Sequence, residues 1–246
     1  MIELLTDPQA WIALATLTAL ELVLGIDNVI FIAILVDKLP PEQRDRARRI
    51  GLFMAMFLRV GLLLALSWLI GLTEPLFHAF GRGISGRDLI LILGGLFLIW
   101  KSTGEIHQGM EGEDEHTAAR AAASFALVIG QIMVIDVIFS LDSIITAVGM
   151  VDELPVMITA VIVSVALMML FAGAIGDFVS KHPTIKMLAL SFLVVVGVVL
   201  IAEGFGNHVP KGYIYFAMAF SVTVEMLNIR MRSRTQIKVK TQGSKG

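Results

Sequence analysis

Two stretches, Glu21-Leu-Val-Leu-Gly25-Ile-Asp27-Asn28 and Asp136-Val-Ile-Phe-Ser140-Leu-Asp142-Ser143, share one pattern. An acid is followed four positions on by a small residue, two further on by a second acid, and then by Asn or Ser. From 21 to 136 the offset is 115 residues, and it holds without a gap through Asp37-Lys38-Leu39-Pro40 against Asp152-Glu153-Leu154-Pro155. Both stretches lie inside long apolar runs, so the chain carries an internal repeat whose acids fall where acids are costly.

Working outward, seven apolar runs are long enough to cross a hydrocarbon core that needs about 20 helical residues. They fall near residues 10–36, 49–71, 88–106, 124–150, 156–179, 186–204 and 212–230. The expected fold is all-α: a seven-helix membrane domain over residues 1–230 and a basic, polar tail over 231–246. Of the 246 residues 57% are hydrophobic and only 16% are charged, against about 25% charged in an average soluble domain. The bilayer is therefore the expected main solvent. Trp11, Trp68, Trp100, Tyr213 and Tyr215 fall toward the run ends, where amphipathic rings favour the headgroup level. The first nine residues lack the basic start of a signal peptide, so the first run is expected to remain as a span.

Each repeat unit contains three spans. Because three is odd, the second copy enters the membrane from the opposite side, giving a 3+3 inverted repeat with the seventh span outside it. Glu105 and Glu203, near the ends of the third and sixth spans, weakly extend the correspondence. Inverted repeats are typical of secondary transporters, which alternate access to a midplane site by rocking one half against the other. Lys and Arg disfavour translocation. With the N-terminus outside and the C-terminus cytosolic, the inner side collects Lys38 and the arginines from Arg44 to Arg49, Lys101, Arg120, Lys181, Lys186 and the tail. Only Arg82, Arg87 and Lys211 then lie outside.

Glu21 and Asp27 in the first span, and Asp136 and Asp142 in the fourth, sit close to mid-bilayer by count. An ionised group there costs about 2.5–3.5 kcal/mol on insertion scales. The nearby bases are Arg59 and, closer to a span end, Lys101. At least two carboxylates are left whose natural partner is a cation or a proton. On a regular helix, residues six apart are separated by about 240° and about 9 Å. Either the first span opens near Gly25, or Glu21 and Asp27 bracket the site. The donors offered are carboxylate, amide oxygen and hydroxyl, from Glu21, Asp27, Asn28, Asp136, Asp142 and Ser143. Hard oxygen donors of this kind suit Mn²⁺, Mg²⁺ or Ca²⁺. With no cysteine in the chain, thiolate metal sites and thiol nucleophiles are excluded.

The bland readings are structural. The four acids could be ion-paired between packed spans, Arg59 could be a plain counter-ion, and Lys101 with Glu105 could be a helix-surface pair. Asp37 and Asp152 read as helix-end residues, and Glu203 and Glu225 as interfacial. The segment Ser102–Ala123, with His107, Glu111, Glu113, Asp114, Glu115 and His116, reads as a solvated loop. A net charge of −2 argues against nucleic acid as a partner; the lipid bilayer and a divalent metal ion are the expected ones. There is no phosphate-binding G-x-x-x-x-G-K-[ST] motif, which argues against ATP hydrolysis.

At Glu21–Ile30, at Asp136–Ile145 and at Gly94-Gly95-Leu-Phe-Leu-Ile-Trp-Lys101 with Glu105, the sequence resembles the TerC family of integral membrane proteins, over residues 10–230. It looks most like the short bacterial subgroup without cytosolic regulatory domains. The family pattern often reads Ser-x-Asp-Asn and Ser-x-Asp-Ser; here Gly25 stands in place of the first Ser. The resemblance implies a seven-span fold related to the LysE-type exporters and a role in divalent metal efflux, with manganese favoured. It also implies that Asp27, Asn28, Asp142 and Ser143 are central, with Glu21 and Asp136 beside them. The function expected is a secondary exporter of a hard divalent cation in the bacterial inner membrane, with protons returning on the same carboxylates and no resident cofactor. Two rivals remain: an intramembrane aspartyl hydrolase using Asp27 and Asp142 as an acid/base pair, and a non-transporting scaffold.

Overall fold

Proline stands at the first or second position of four of the helices, where its missing N–H costs nothing and its fixed φ suits the first turn. In the computed structural model these are α1 (Pro8–Val36), α2 (Pro41–Leu64), α5 (Leu154–Lys181) and α6 (Pro183–Gly204). Asp7 caps α1, accepting a hydrogen bond from the Gln9 N–H at 2.9 Å. The remaining helices are α3 (Gly86–Glu111), α4 (Phe125–Val148) and α7 (Lys211–Gly243). A two-stranded antiparallel hairpin, β1 (Pro75–Ala79) and β2 (Arg82–Ser85), turns at Gly81, whose φ of 74° suits a residue without a side chain. The structure describes residues 7–65, 70–71, 73–79, 81–111, 125–148 and 153–243.

Among the described residues, α1, α3, α5, α6 and α7 are long and apolar enough to cross a membrane. In α4 the described apolar stretch is the shorter Phe125–Leu141, and α2 carries Arg48, Arg49 and Arg59 along its length.

Packing interlocks the two halves. Helix α1 lies along α5, α2 along α4, and α3 along α6. Gly25 meets Met168, and Leu17 clusters with Met157, Ala160 and Val161, so α1 and α5 run parallel. Gly51 meets Ile132 and Arg59 meets Asp136, so α2 and α4 also run parallel. The second half of α1, from Val29 to Val36, is buried almost throughout except at Ile30, as expected of a helix apolar on all sides and enclosed by others. Helix α7 packs on α6 and leaves Tyr213, Phe216, Phe220 and Leu227 exposed, a surface suited to lipid.

Glycines let α3 and α6 touch backbone to backbone. A Cβ at Gly197 would lie 2.8 Å from the Gly95 carbonyl oxygen, and one at Gly204 would lie 2.8 Å from that of Asp88. Small residues at such seams are how helices gain van der Waals contact where lipid offers no hydrophobic drive to associate.

Three expectations change. Helix α1 runs unbroken through Gly25 rather than opening there; the glycine admits the Met168 thioether, with which a Cβ would overlap. The expected loop from Ser102 is helical to Glu111, carried by the Lys101–Glu105 pair one turn apart; Glu113, Asp114, Glu115 and His116 lie outside the described residues. The backbone of α7 continues past residue 230 to Gly243, so the basic tail begins as helix.

Candidate functional site

At the centre of the bundle, one arginine holds one carboxylate from each of the two acid-bearing stretches. Arg59 of α2 places Nη1 2.6 Å from the Glu21 Oε2 of α1 and Nη2 2.8 Å from the Asp136 Oδ1 of α4. Its Nε donates to the same Asp136 oxygen at 3.0 Å. Asp136 Oδ2 accepts from the Ser140 hydroxyl at 3.2 Å, one turn along α4. All four residues are buried, Arg59 to 4% exposure.

The helix period explains the geometry. Asp136 and Ser140 are four apart and so share a face of α4, and the shared Arg59 brings Glu21 to that face, with α1 and α4 running antiparallel. That course follows from two contacts: Leu17 and Glu21 line a small cavity with Ile144, whereas Val29 and Phe31 share a core cluster with Ile129 and Ile132. Gly25, the repeat counterpart of Ser140, offers no hydroxyl to Glu21. The position matching Arg59 in the second half is Ala174, so the base is supplied once.

Two carboxylates against one guanidinium leave this layer with one net negative charge. Buried ion pairs in lipid need each charge matched and hydrogen-bonded. Arg59 has all three of its nitrogens engaged, and Asp136 uses both oxygens.

Asp27 and Asp142 lie on the backbones of α1 and α4, but their side chains fall outside the described residues. Helical rise sets their positions about 9 Å along each axis from Glu21 and Asp136. Because the two helices are antiparallel, position 27 is displaced from Glu21 in one direction and position 142 from Asp136 in the opposite one. Beside Asp27, Asn28 is buried, and neither its Oδ1 nor its Nδ2 has a hydrogen-bond partner among the described residues. Each such amide group costs about 1–3 kcal/mol if left unmatched. Beside Asp142, the buried Ser143 hydroxyl donates to the Ser140 carbonyl at 3.1 Å and keeps its lone pairs free to accept. Among the described residues, no three His, Asp or Glu side chains converge to hold one ion.

The other candidates form a second cluster at the end of α1. Glu105 joins Lys101 at 2.9 Å, as the helix-surface reading expects, but it is also bound by Lys38 at 2.6 Å and is itself buried. Lys38 reaches on to Gln108 at 3.0 Å. The neighbouring Asp37 pairs with Arg44 at 2.7 Å and Lys186 at 3.3 Å, and accepts from Ser180 at 3.2 Å. It caps α1, as expected, and also ties α1 to α2, α5 and α6. Sequence reasoning left Lys38 out of this cluster; its only signal was its place inside the repeated Asp-x-Leu-Pro landmark.

Comparison with known proteins identifies the family. The profile of the "Integral membrane protein TerC family" matches residues 6–240. The UPF0053 protein of Haemophilus influenzae is 58% identical over 233 residues, spanning 94% of this chain and 98% of its own. The UPF0053 inner membrane protein YgdQ of Escherichia coli K12 is 59% identical over 225 residues, 92% of this chain and 94% of its own. The UPF0053 inner membrane protein YoaE of the same strain is 49% identical over 97% of this chain, which covers only 48% of YoaE. No solved structure matches significantly. With a family profile over nearly its full length and relatives of this identity, the chain belongs to the TerC family of integral membrane proteins.

Proposed function

We propose that this protein is a secondary transporter of the bacterial inner membrane that exports a hard divalent cation, manganese first among them. The observation that carries the reading is the buried layer in which one carboxylate from each half is held by a single guanidinium. In that arrangement Arg59 is a tethered cation. It keeps Glu21 and Asp136 matched while no metal is present and closes the route between the two sides. Asp27 with Asn28 forms the half-site on one side of the layer, and Asp142 with Ser143 forms the half-site on the other.

Seven spans, with the N-terminus outside, are compatible with the helices among the described residues and with the distribution of Lys and Arg. The helix pairing supports the inverted repeat. Exchanging α1 with α4, α2 with α5 and α3 with α6 turns the α1–α5 packing into the α4–α2 packing and the α1–α6 packing into the α4–α3 packing; α3–α6, α1–α4 and α2–α5 map onto themselves, and each of these pairs is in contact. Transporters of this design rock one such half against the other around a midplane site. The unmatched amide of Asn28 and the free lone pairs of Ser143 offer oxygen donors that suit Mn²⁺. Protons returning on the same carboxylates would reset the charge. The antiparallel course of α1 and α4 weighs against the hydrolase reading, because an acid/base pair must lie within hydrogen-bond reach of one substrate.

The test is cell manganese in a deletion strain, compared with the same strain carrying wild-type protein, Asp27→Asn or Asp142→Asn. Wild type should lower manganese and both variants should leave it high. Equal manganese in all four strains discards the proposal. Flux of Mn²⁺ against Mg²⁺ and Ca²⁺ in proteoliposomes identifies the ion.

A further inference from the structure

On the lipid-facing side of the bundle, away from the Arg59 layer, α2 and α5 enclose a cleft of about 680 Å³. Its polar end holds Asp45, Arg48 and Arg49, and its apolar length is walled by Phe53, Met169 and Leu170. Arg48 is buried to 7% exposure. Its guanidinium lies across α5 where Gly173 and Gly176 make room; a Cβ at Gly176 would come within 2.6 Å of Nη2. Nη1 donates to Asp45 at 3.2 Å, but that carboxylate is 71% exposed, and the Arg48 Nε has no partner among the described residues.

A buried guanidinium with an unmatched donor, whose one carboxylate partner among the described residues is turned to solvent, calls for a further anion. Asp45, Arg48 and Arg49 together carry one net positive charge. They stand at the start of the apolar run near residues 49–71, the end of a span where headgroups are expected. Beyond them Phe53 and Leu170 are exposed to the lipid side, 50% and 72%. A free phosphate would satisfy the arginines and leave the apolar wall bare. A phospholipid satisfies both, its phosphodiester on Arg48 and Arg49 and an acyl chain along the cleft. Basic pockets between membrane helices on the cytosolic side bind anionic headgroups by this chemistry.

We propose that the α2–α5 cleft is a binding site for one anionic phospholipid of the leaflet that faces the Lys/Arg-rich side. The site is independent of the transported ion and rests only on the membrane fold. Its occupant bridges α2 of one half to α5 of the other and so fastens the two halves at that level.

Native mass spectrometry of the full chain in detergent, with equimolar phosphatidylglycerol and phosphatidylethanolamine, tests it. The wild type should retain one phosphatidylglycerol per chain with at least tenfold preference. Arg48→Gln should lose that preference, and Leu170→Trp, which fills the cleft and keeps both arginines, should also lose the lipid. Arg46→Gln removes the same charge outside the cleft and should behave as wild type. In a parallel thermal-shift series, phosphatidylglycerol should raise the melting temperature, whereas inorganic phosphate and soluble glycerophosphoglycerol should not. Phosphatidylglycerol retained by Arg48→Gln as by wild type overturns the proposal, and so does stabilisation by inorganic phosphate equal to that by lipid. If Arg48→Gln does not fold, Arg49→Gln and Leu170→Trp carry the test, and wild-type lipid retention in both overturns it.

Discussion

Removing the Arg59 guanidinium should be among the most damaging single changes in the membrane core, and removing either of its carboxylates much less so. Arg59→Met deletes three charge-assisted hydrogen bonds, at 2.6, 2.8 and 3.0 Å, and leaves Glu21 and Asp136 facing each other in lipid. Breaking a buried pair by deleting one partner costs about 3–5 kcal/mol, because an uncompensated charge stays behind. Glu21→Gln or Asp136→Asn instead takes the layer from one net negative charge to neutrality and leaves Arg59 one carboxylate. The amide still accepts, so a cost of about 1–2 kcal/mol is expected, near that of one weakened hydrogen bond to a charged group. The triple variant Arg59→Met/Glu21→Gln/Asp136→Asn should recover much of the loss, since replacing a whole buried ionic group by neutral side chains is often near neutral. Unfolding measured in mixed micelles or by steric trapping gives all five stabilities on one scale. Arg59→Met within about 1 kcal/mol of wild type, or a triple variant no better than the single, would refute the charge accounting.

Further predictions bear on the packing and on the second cluster. Gly25→Ala should cost about 1–3 kcal/mol by overpacking, and adding Met168→Ala should restore part of it, as a double-mutant cycle would register. Gly197→Leu should drive α3 from α6, where even a Cβ comes within 2.8 Å of the Gly95 carbonyl; loss of folded protein in size-exclusion profiles checks this. Lys38→Met alone should be mild, because Glu105 keeps Lys101 at 2.9 Å. Lys38→Met/Lys101→Met should cost about 3–5 kcal/mol, more than the two single changes added, by leaving Glu105 buried and unmatched. Adding Mn²⁺ should stabilise the wild type by mass action, and Asp27→Asn or Asp142→Asn should shift the concentration needed upward; identical thermal titrations for all three proteins would remove these acids from the metal path.

The sequence by itself determined the solvent, the helices and the existence of a paired set of buried acids. Long apolar runs need a bilayer, and in lipid a helix satisfies its backbone within one segment, so each of the seven runs overlaps a helix among the described residues, five of them long and apolar enough to cross a membrane. The repeated acid pattern made Glu21 and Asp136 equivalent before any fold was known, because its spacing needs only the chain. Arg59 was legible as one of two bases near those acids, with Lys101, although the sequence left it open whether it was a counter-ion or something more.

Only the tertiary structure decided which acids meet. Separation along a helix places Glu21 and Asp27 on different faces, but nothing local says which face turns toward α4; the packing of α1, α2 and α4 that brings Glu21 and Asp136 to one Arg59 does. Opening at Gly25 was one of two readings, because glycine is a poor helix former, yet what the glycine accommodates lies on α5, in Met168, far away in sequence. Lys38 and Glu105, and Arg48 and the glycines of α5, are likewise joined only when distant helices pack. Local propensity and hydropathy are properties of neighbours along the chain, whereas the matching of buried charge is a property of neighbours in space.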